Sequence, residues 1–319
     1  MKRIFALCML TVLLLTGCTQ GKKTESTSGE ERPVIVATIF PLYDFARQVA
    51  GDRATVKMLL APGMEVHSYD PSPKDILTVQ HSSLFLYIGG ESDAWVDRVT
   101  SAMDKPETAV LRLMDSVDCL EEEAGTGMRQ RKADGEESEY DEHIWTSPVN
   151  AVRMVEAIRD RLCQMYPGDA EAFRQNAADY IEKLQQLDTD FSTAVAAADR
   201  KELLFGDRFP FRYFVERYGL TYSAAFPGCS AETEPSAETV ASLIDRIRTQ
   251  KIPVIFYLEL SNHRVADVLA ESTGAKTRMF HSCETVTQTE FDSGATYLSI
   301  MYQNLENLKE ALSGEAADL

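Results

Sequence analysis

The chain has 319 residues, 44% of them apolar and 26% charged, with a formal net charge of −18 at pH 7. Such acidity argues against a nucleic-acid ligand, whose phosphates it would repel, and is compatible with attracting cations. The length suits two domains of ordinary size.

Lys2 and Arg3 precede the apolar run "IFALCMLTVLLLTG", which is too short for a convincing membrane span and has the shape of an export signal. The run ends in Leu15-Thr16-Gly17-Cys18, which resembles the bacterial lipobox. Residues 1–17 then read as a lipoprotein signal peptide and Cys18 as the lipid-modified N-terminus. The protein is expected to be lipid-anchored to the cell membrane, facing outside the cytoplasm. Loss of Lys2 and Arg3 with the signal takes the net charge to −20. Residues 18–32 are polar and free of aromatics, and read as a flexible tether.

From residue 33 short apolar runs alternate with helical patterns. "PVIVATI" (33–39), "ATVKMLL" (54–60), "SLFLYIG" (83–89) and "TAVLRLM" (108–114) are strand candidates, with helical patterns at 42–51, 72–80, 92–103 and 149–165. Ser72-Pro73 and Ser147-Pro148 suit helix starts. This alternation predicts a parallel sheet with helical crossovers. Residues 120–142, "LEEEAGTGMRQRKADGEESEYDE", read as a solvated acidic loop.

Residues 169–198 break the rhythm. Phe173, Ala177, Tyr180, Leu184, Leu187 and Phe191 are spaced by fours and threes, the mark of one apolar helical stripe. A helix of about 30 residues is about 45 Å long, more than a crossover needs. The alternation then resumes, with strands at 202–206, 221–226, 252–258 and 276–280 and helices at 209–218, 236–250, 262–272 and 294–312. The expected fold is α/β, with two Rossmann-like lobes of parallel sheet joined by one long rigid helix. The N-terminal lobe spans 33–167, the linking helix 168–200 and the C-terminal lobe 201–313.

Beyond the signal and the tether, Cys119, Cys163, Cys229 and Cys283 remain, allowing three pairings. Cys229–Cys283 is favoured because both lie in loops of the second half; Cys119–Cys163 and free buried thiols are the alternatives.

In such sheets ligands collect beyond the carboxyl ends of the strands. His67 follows the strand at 54–60, His143 closes the long loop after 108–114, and His281 directly follows 276–280. Imidazoles from both lobes can therefore converge on one cation in the interlobe cleft. His81 and His263, at the ends of helical stretches, read as surface residues.

"VIVATIFPLYDFARQVAGD", "APGMEVHSYDPSPKDI", "DEHIWTSPVNA", "RYFVERYGL", "SAETEPSAETV", "IPVIFYLELS" and "TYLSIMYQNLENL" together resemble the zinc/manganese-binding lipoproteins of bacterial ABC importers, the cluster 9 solute-binding proteins. The resemblance runs from about residue 33 to 312. It implies one metal held between the lobes and delivered to a membrane ABC permease and its ATPase by a carrier that is not an enzyme, here expected to be a monomer. It places the first two histidine ligands at His67 and His143. The third position falls on Arg208, which offers only donors and is no metal ligand. The fourth, usually aspartate, falls on His281. Water, Glu259 or Asp207 could fill the vacancy, with Glu259 the carboxylate included in the expected ligand set. Arg208 would lie beside the metal, neutralised by Glu232, Glu234 or Glu259 or holding an anion; Arg212 is a second arginine nearby.

Three imidazoles with at most one carboxylate lean toward Zn²⁺, with Mn²⁺ the alternative. A secreted zinc hydrolase and a surface adhesin are the rival readings. The hydrolase is weakened because HExxH, GxSxG and paired carboxylates tied to the histidines are missing from the sequence.

Overall fold

A computed structural model of the protein describes residues 32–101, 108–122, 139–228 and 234–313. The signal peptide, Cys18, most of the tether, Cys229, Glu232 and residues 123–138 of the acidic loop lie outside the described residues. No helix among the described residues is long and apolar enough to cross a membrane.

The first lobe runs β1 (Val34–Ala37), α1 (Phe40–Ala50), β2 (Thr55–Met58), α2 (Pro73–Gln80), β3 (Leu84–Tyr87), α3 (Trp95–Ser101) and β4 (Ala109–Arg112). After it come α4 (Pro148–Met165) and the linking helix α5 (Ala170–Ala197). The second lobe runs β5 (Glu202–Phe205), α6 (Arg212–Tyr218), β6 (Thr221–Ala224), α7 (Ala237–Gln250), β7 (Val254–Tyr257), α8 (Arg264–Thr273), β8 (Lys276–Met279), α9 (Gln288–Asp292) and α10 (Tyr297–Leu312). Each lobe holds a four-stranded parallel sheet. The orders are β2-β1-β3-β4 and β6-β5-β7-β8, the same winding twice. The expected two-lobed α/β architecture with its long joining helix is the one observed.

Several expected boundaries shift for local reasons. Helix α6 starts at Arg212 rather than at 209, because Phe209 stacks on Tyr222 and Phe211 packs edge-on to Phe280. Burial of these two rings holds residues 209–211 out of the helix. The short helix α9 carries a capping box between Thr287 and Glu290, a start signal passed over in the sequence.

Helix α5 buries one stripe, Phe173, Ala177, Tyr180, Leu184, Leu187, Phe191 and Val195. At 28 residues it is about 42 Å long, and it packs on α1, α4 and α10, so it touches helices of both lobes. One continuous hydrophobic core includes residues of both lobes and of α5. A polar knot crosses it. The buried Asp44 carboxylate of α1 accepts from the Tyr297 backbone N–H at the start of α10 (2.9 Å), from the Tyr180 hydroxyl (3.3 Å) and from Arg47 (2.7 Å). Trp145 Nε1 donates to the Ser282 carbonyl across the same divide (2.8 Å), and the Tyr297 hydroxyl donates to the Trp145 carbonyl (2.7 Å). Breaking such buried bonds one-sidedly is costly, so the lobes are pinned together rather than hinged.

Cys119, Cys163 and Cys283 carry free thiols, so the alternative Cys119–Cys163 disulfide is not formed. Cys283 likewise does not form the favoured bridge to Cys229, a residue that lies outside the described residues.

Candidate metal centre

His67 sits in the loop leaving β2. Val66 on one side is buried in the core, and Tyr69 on the other packs edge-on against Trp95, with ring centroids 5.4 Å apart. These anchors fix the loop and aim the imidazole between them. The Ser92 hydroxyl donates to Glu142 Oε1 and so accepts from the other side, where His67 Nδ1 lies 2.7 Å away. The ring proton of neutral His67 is thereby held on Nδ1 and the Nε2 lone pair is free.

His143 closes the acidic loop, whose base is zipped by the Glu121–Tyr140 bridge and by the Asp141 N–H on the Leu120 carbonyl. Tyr213 of the second lobe clamps that base, accepting from Leu120 N–H and donating to the Asp141 carbonyl. Asp141 Oδ1 accepts from the His143 backbone N–H (2.8 Å) and lies 3.1 Å from its Nδ1. A carboxylate accepts only, so the Nδ1 proton is fixed here too and Nε2 faces outward. This is the carboxylate–histidine pairing typical of metal ligands.

The third group comes from the second lobe. Glu284 Oε1 lies 3.6 Å from His67 Nε2 and 3.9 Å from His143 Nε2. These three residues form a metal-competent cluster whose ligand atoms all lie within 4.8 Å of one another. Tetrahedral zinc with bonds of ~2.0–2.1 Å needs ligand atoms about 3.4 Å apart, so the two carboxylate–imidazole distances need contract by only a few tenths of an ångström.

The electrostatics suit a divalent cation. Burial would lower the His143 pKa, but Asp141, Glu284 and Glu142 overcome it and raise it to about 9. Burial likewise opposes, and Glu142 and Glu284 outweigh it, in raising His67. Glu284 is raised chiefly by burial. Burial would raise Glu142 as well, yet His67, His143 and the Ser92 donors hold it at about 2. The carboxylates that raise both imidazoles mark a place that favours positive charge, which a cation can supply. Gly90 guards this arrangement: at φ 109° it has no Cβ, and one placed there would lie 2.6 Å from Glu142 Oε2.

The structure brings His67 and His143 together; His281 lies elsewhere, and Glu259 lines the same small cavity without joining the ligand cluster. His281 is buried, but the Cys283 backbone N–H donates to its Nδ1 (2.9 Å), which forces the proton of the neutral ring onto Nε2. That Nε2 is buried 3.9 Å from Glu290 and in the neutral ring has no lone pair for a metal, while His281 as a residue borders a separate cavity of about 410 Å³. Cys283, with φ 65°, supplies the left-handed step that turns Glu284 to the cleft. Glu259 is engaged by Ser282, whose backbone N–H donates to Oε2 (2.8 Å) and whose hydroxyl donates to Oε1. It therefore supports the turn bearing Glu284 instead of joining the cluster. Asp207 accepts from the Arg208 and Leu258 backbone N–H groups. Arg208 lines the small cavity beside the three ligands, its guanidinium 3.5 Å from Glu65 rather than from Glu259. Glu234 is exposed. His81 caps the exposed end of α2, and His263 pairs with Asp267 at the surface.

Glu284 is absent from the ligand set expected from the sequence; its signal there is a carboxylate a few residues beyond the last strand, in "HSCET", three positions after the imidazole of His281.

Two like-wound α/β lobes on a rigid helix, with imidazoles from one and a carboxylate from the other meeting in the cleft, make a two-lobed protein with a candidate metal centre. The chain belongs to the ZnuA family, described as zinc-uptake complex component A, periplasmic, whose pattern matches residues 35–311. It is 34% identical over 319 residues to the zinc-binding lipoprotein AdcA of Streptococcus pneumoniae strain R6, covering 99% of this chain and 62% of that protein. The chain therefore spans about three-fifths of the AdcA relatives it matches. Against the high-affinity zinc uptake system protein ZnuA of Bacillus subtilis the identity is 31%, with 97% of this chain and 96% of that protein covered. The Zn(II)-bound ZnuA-like domain of S. pneumoniae AdcA superposes with a TM-score of 0.74 at 33% identity, over 88% of this chain and 99% of that one.

Proposed function

We propose that the protein captures Zn²⁺ outside the cytoplasm, on His67 Nε2, His143 Nε2 and Glu284 Oε1, and delivers it to an ABC permease and its ATPase. The observation that carries this reading is the convergence of two Nε2 lone pairs and one carboxylate from opposite lobes. The Zn(II)-bound AdcA domain and the zinc-uptake relatives support zinc as the cargo. Two imidazoles also suit zinc better than manganese, which prefers oxygen-rich sites. Lipidation at Cys18 would tether the carrier near its permease, a role supported by the lipobox-like Leu15–Cys18 and by the lipoprotein name of the AdcA relative. Function as a carrier requires no chemistry on the cargo, and the basic partners of a hydrolytic site, a free general base above all, are committed here: Glu142 to Ser92, Glu259 to Ser282. The test is metal competition on the purified protein. One Zn²⁺ per chain, preferred over Mn²⁺ and lost in His67→Ala, is expected; a Mn²⁺ preference, or stoichiometric zinc that survives His67→Ala and His143→Ala together, would overturn it.

A further inference from the structure

The two imidazoles and Glu284 come from opposite lobes, so their spacing depends on what ties the turn bearing Glu284 to the first lobe. Bonds inside the second lobe shape that turn without setting the gap. Glu259 accepts from the Ser282 backbone N–H and hydroxyl, and the Ser282 hydroxyl accepts in turn from the Glu284 backbone N–H (3.1 Å).

Among the described residues, three hydrogen bonds join the turn to the first lobe. The Phe40 N–H reaches the Glu284 carbonyl at 3.3 Å, and the Gly63 N–H reaches Thr285 Oγ1 at 3.2 Å in an exposed position. The third is shorter and buried: Trp145 Nε1 donates to the Ser282 carbonyl at 2.8 Å. Water cannot replace a donor lost from that place, so this bond should hold the turn most firmly.

Trp145 is also tied to a ligand. It follows His143 on one 3₁₀ turn, Ile144–Thr146, which Thr146 closes with its N–H (3.2 Å) and hydroxyl (2.8 Å) on the His143 carbonyl. The indole is buried and packs on the His143 ring, with centroids 5.4 Å apart, and the Trp145 backbone carbonyl accepts from the Tyr297 hydroxyl. Trp145 is thus a stiff arm that starts two residues after one ligand and ends two residues before another.

Resting on the zinc-carrier reading, we infer that Trp145 is a positioning residue for the metal site. Its indole N–H on Ser282 sets how closely Glu284 approaches His67 and His143, and the indole itself does not touch the ion.

The test measures zinc affinity of the full chain by competition with a chromophoric chelator. Trp145→Phe keeps a ring in the core and removes the donor; zinc should weaken about tenfold, as for other groups that hold ligands in place. A second form protects the test against misfolding. The chain has two tryptophans, so in a Trp95→Phe background the benzothiophene isostere of tryptophan enters only at position 145, keeping the ring shape without the N–H. It should show the same tenfold loss against that background carrying ordinary tryptophan. Asp44→Ala breaks a buried bond of the same core outside the turn and should change zinc by less than about threefold. In the cobalt(II) forms, the visible bands should shift in both position-145 forms and stay in place in Asp44→Ala. Zinc affinity within threefold of its reference in the isostere form, or a loss no larger than that of Asp44→Ala, would overturn the inference and spare the carrier reading. Absence of stoichiometric zinc in the unmodified protein would overturn both.

Discussion

The two lobes hold their histidines in opposite electronic states. His67 and His143 of the first lobe each face an acceptor at Nδ1, Ser92 and Asp141, and so expose an Nε2 lone pair to the cleft. His281 of the second lobe faces a donor, the Cys283 N–H, and so keeps its proton on the nitrogen a metal would need. All three lie in segments that follow strands, yet topology alone does not make a ligand. The partner of the other ring nitrogen decides it.

The sharpest way to break this contrast is to truncate the rivals on either side of Cys283. Glu284→Ala should weaken zinc by more than about 100-fold, beyond the usual loss for an outer partner, whereas His281→Ala should change affinity by less than about threefold and act mainly on stability. The reverse ranking in a chelator competition would restore His281 as the ligand and remove Glu284. His143→Ala should match Glu284→Ala.

Next in size is the acceptor that sets the tautomer. Asp141→Asn keeps the shape but can turn an amide N–H toward Nδ1, and a loss of about 10–100-fold is expected. An unchanged affinity would mean that Asp141 only shapes the loop.

The knot at Asp44 supplies a control away from the metal. Asp44→Ala strands the Tyr297 N–H and Arg47, and a stability loss of about 3 kcal/mol in urea unfolding is expected. Zinc affinity of the folded fraction should move by less than about threefold. A larger effect on zinc than on stability would mean that the lobes adjust their spacing to bind.

The fold was legible because its signals are local and periodic: alternating apolar runs set the eight strands, and the fours-and-threes stripe from Phe173 to Phe191 set the linking helix. His67 and His143 were legible because each lies in a loop that follows a strand of that periodic pattern. Glu284 was not. Its direction depends on one non-glycine residue, Cys283, adopting φ 65°, and on Glu259 holding Ser282 from 23 positions away. Neither has a periodic signature. Arg208 pairs with Glu65 of the other lobe, a long-range contact that no local signal in the sequence marks.

The mildest effect is also the one that joins the two imidazoles to the charge around them. In the metal-free protein the His143 pKa is raised to about 9 and that of His67 is also raised. A raised imidazole pKa stabilises the fold below the unfolded value, about 6.5, and that contribution is lost as pH climbs through the folded value. Zinc requires both rings neutral, so its affinity should rise over the same window in which the metal-free fold loses that support. Near pH 7 binding should release at least the His143 proton, measured by calorimetry in buffers of different ionisation enthalpy. The zinc-induced gain in Tm should grow from pH 6 toward pH 9. A gain that is flat across that range, with no proton release, would show that neither ring is protonated before the metal arrives, and that the carboxylates of Asp141, Glu142 and Glu284 do not hold the charge assigned to them.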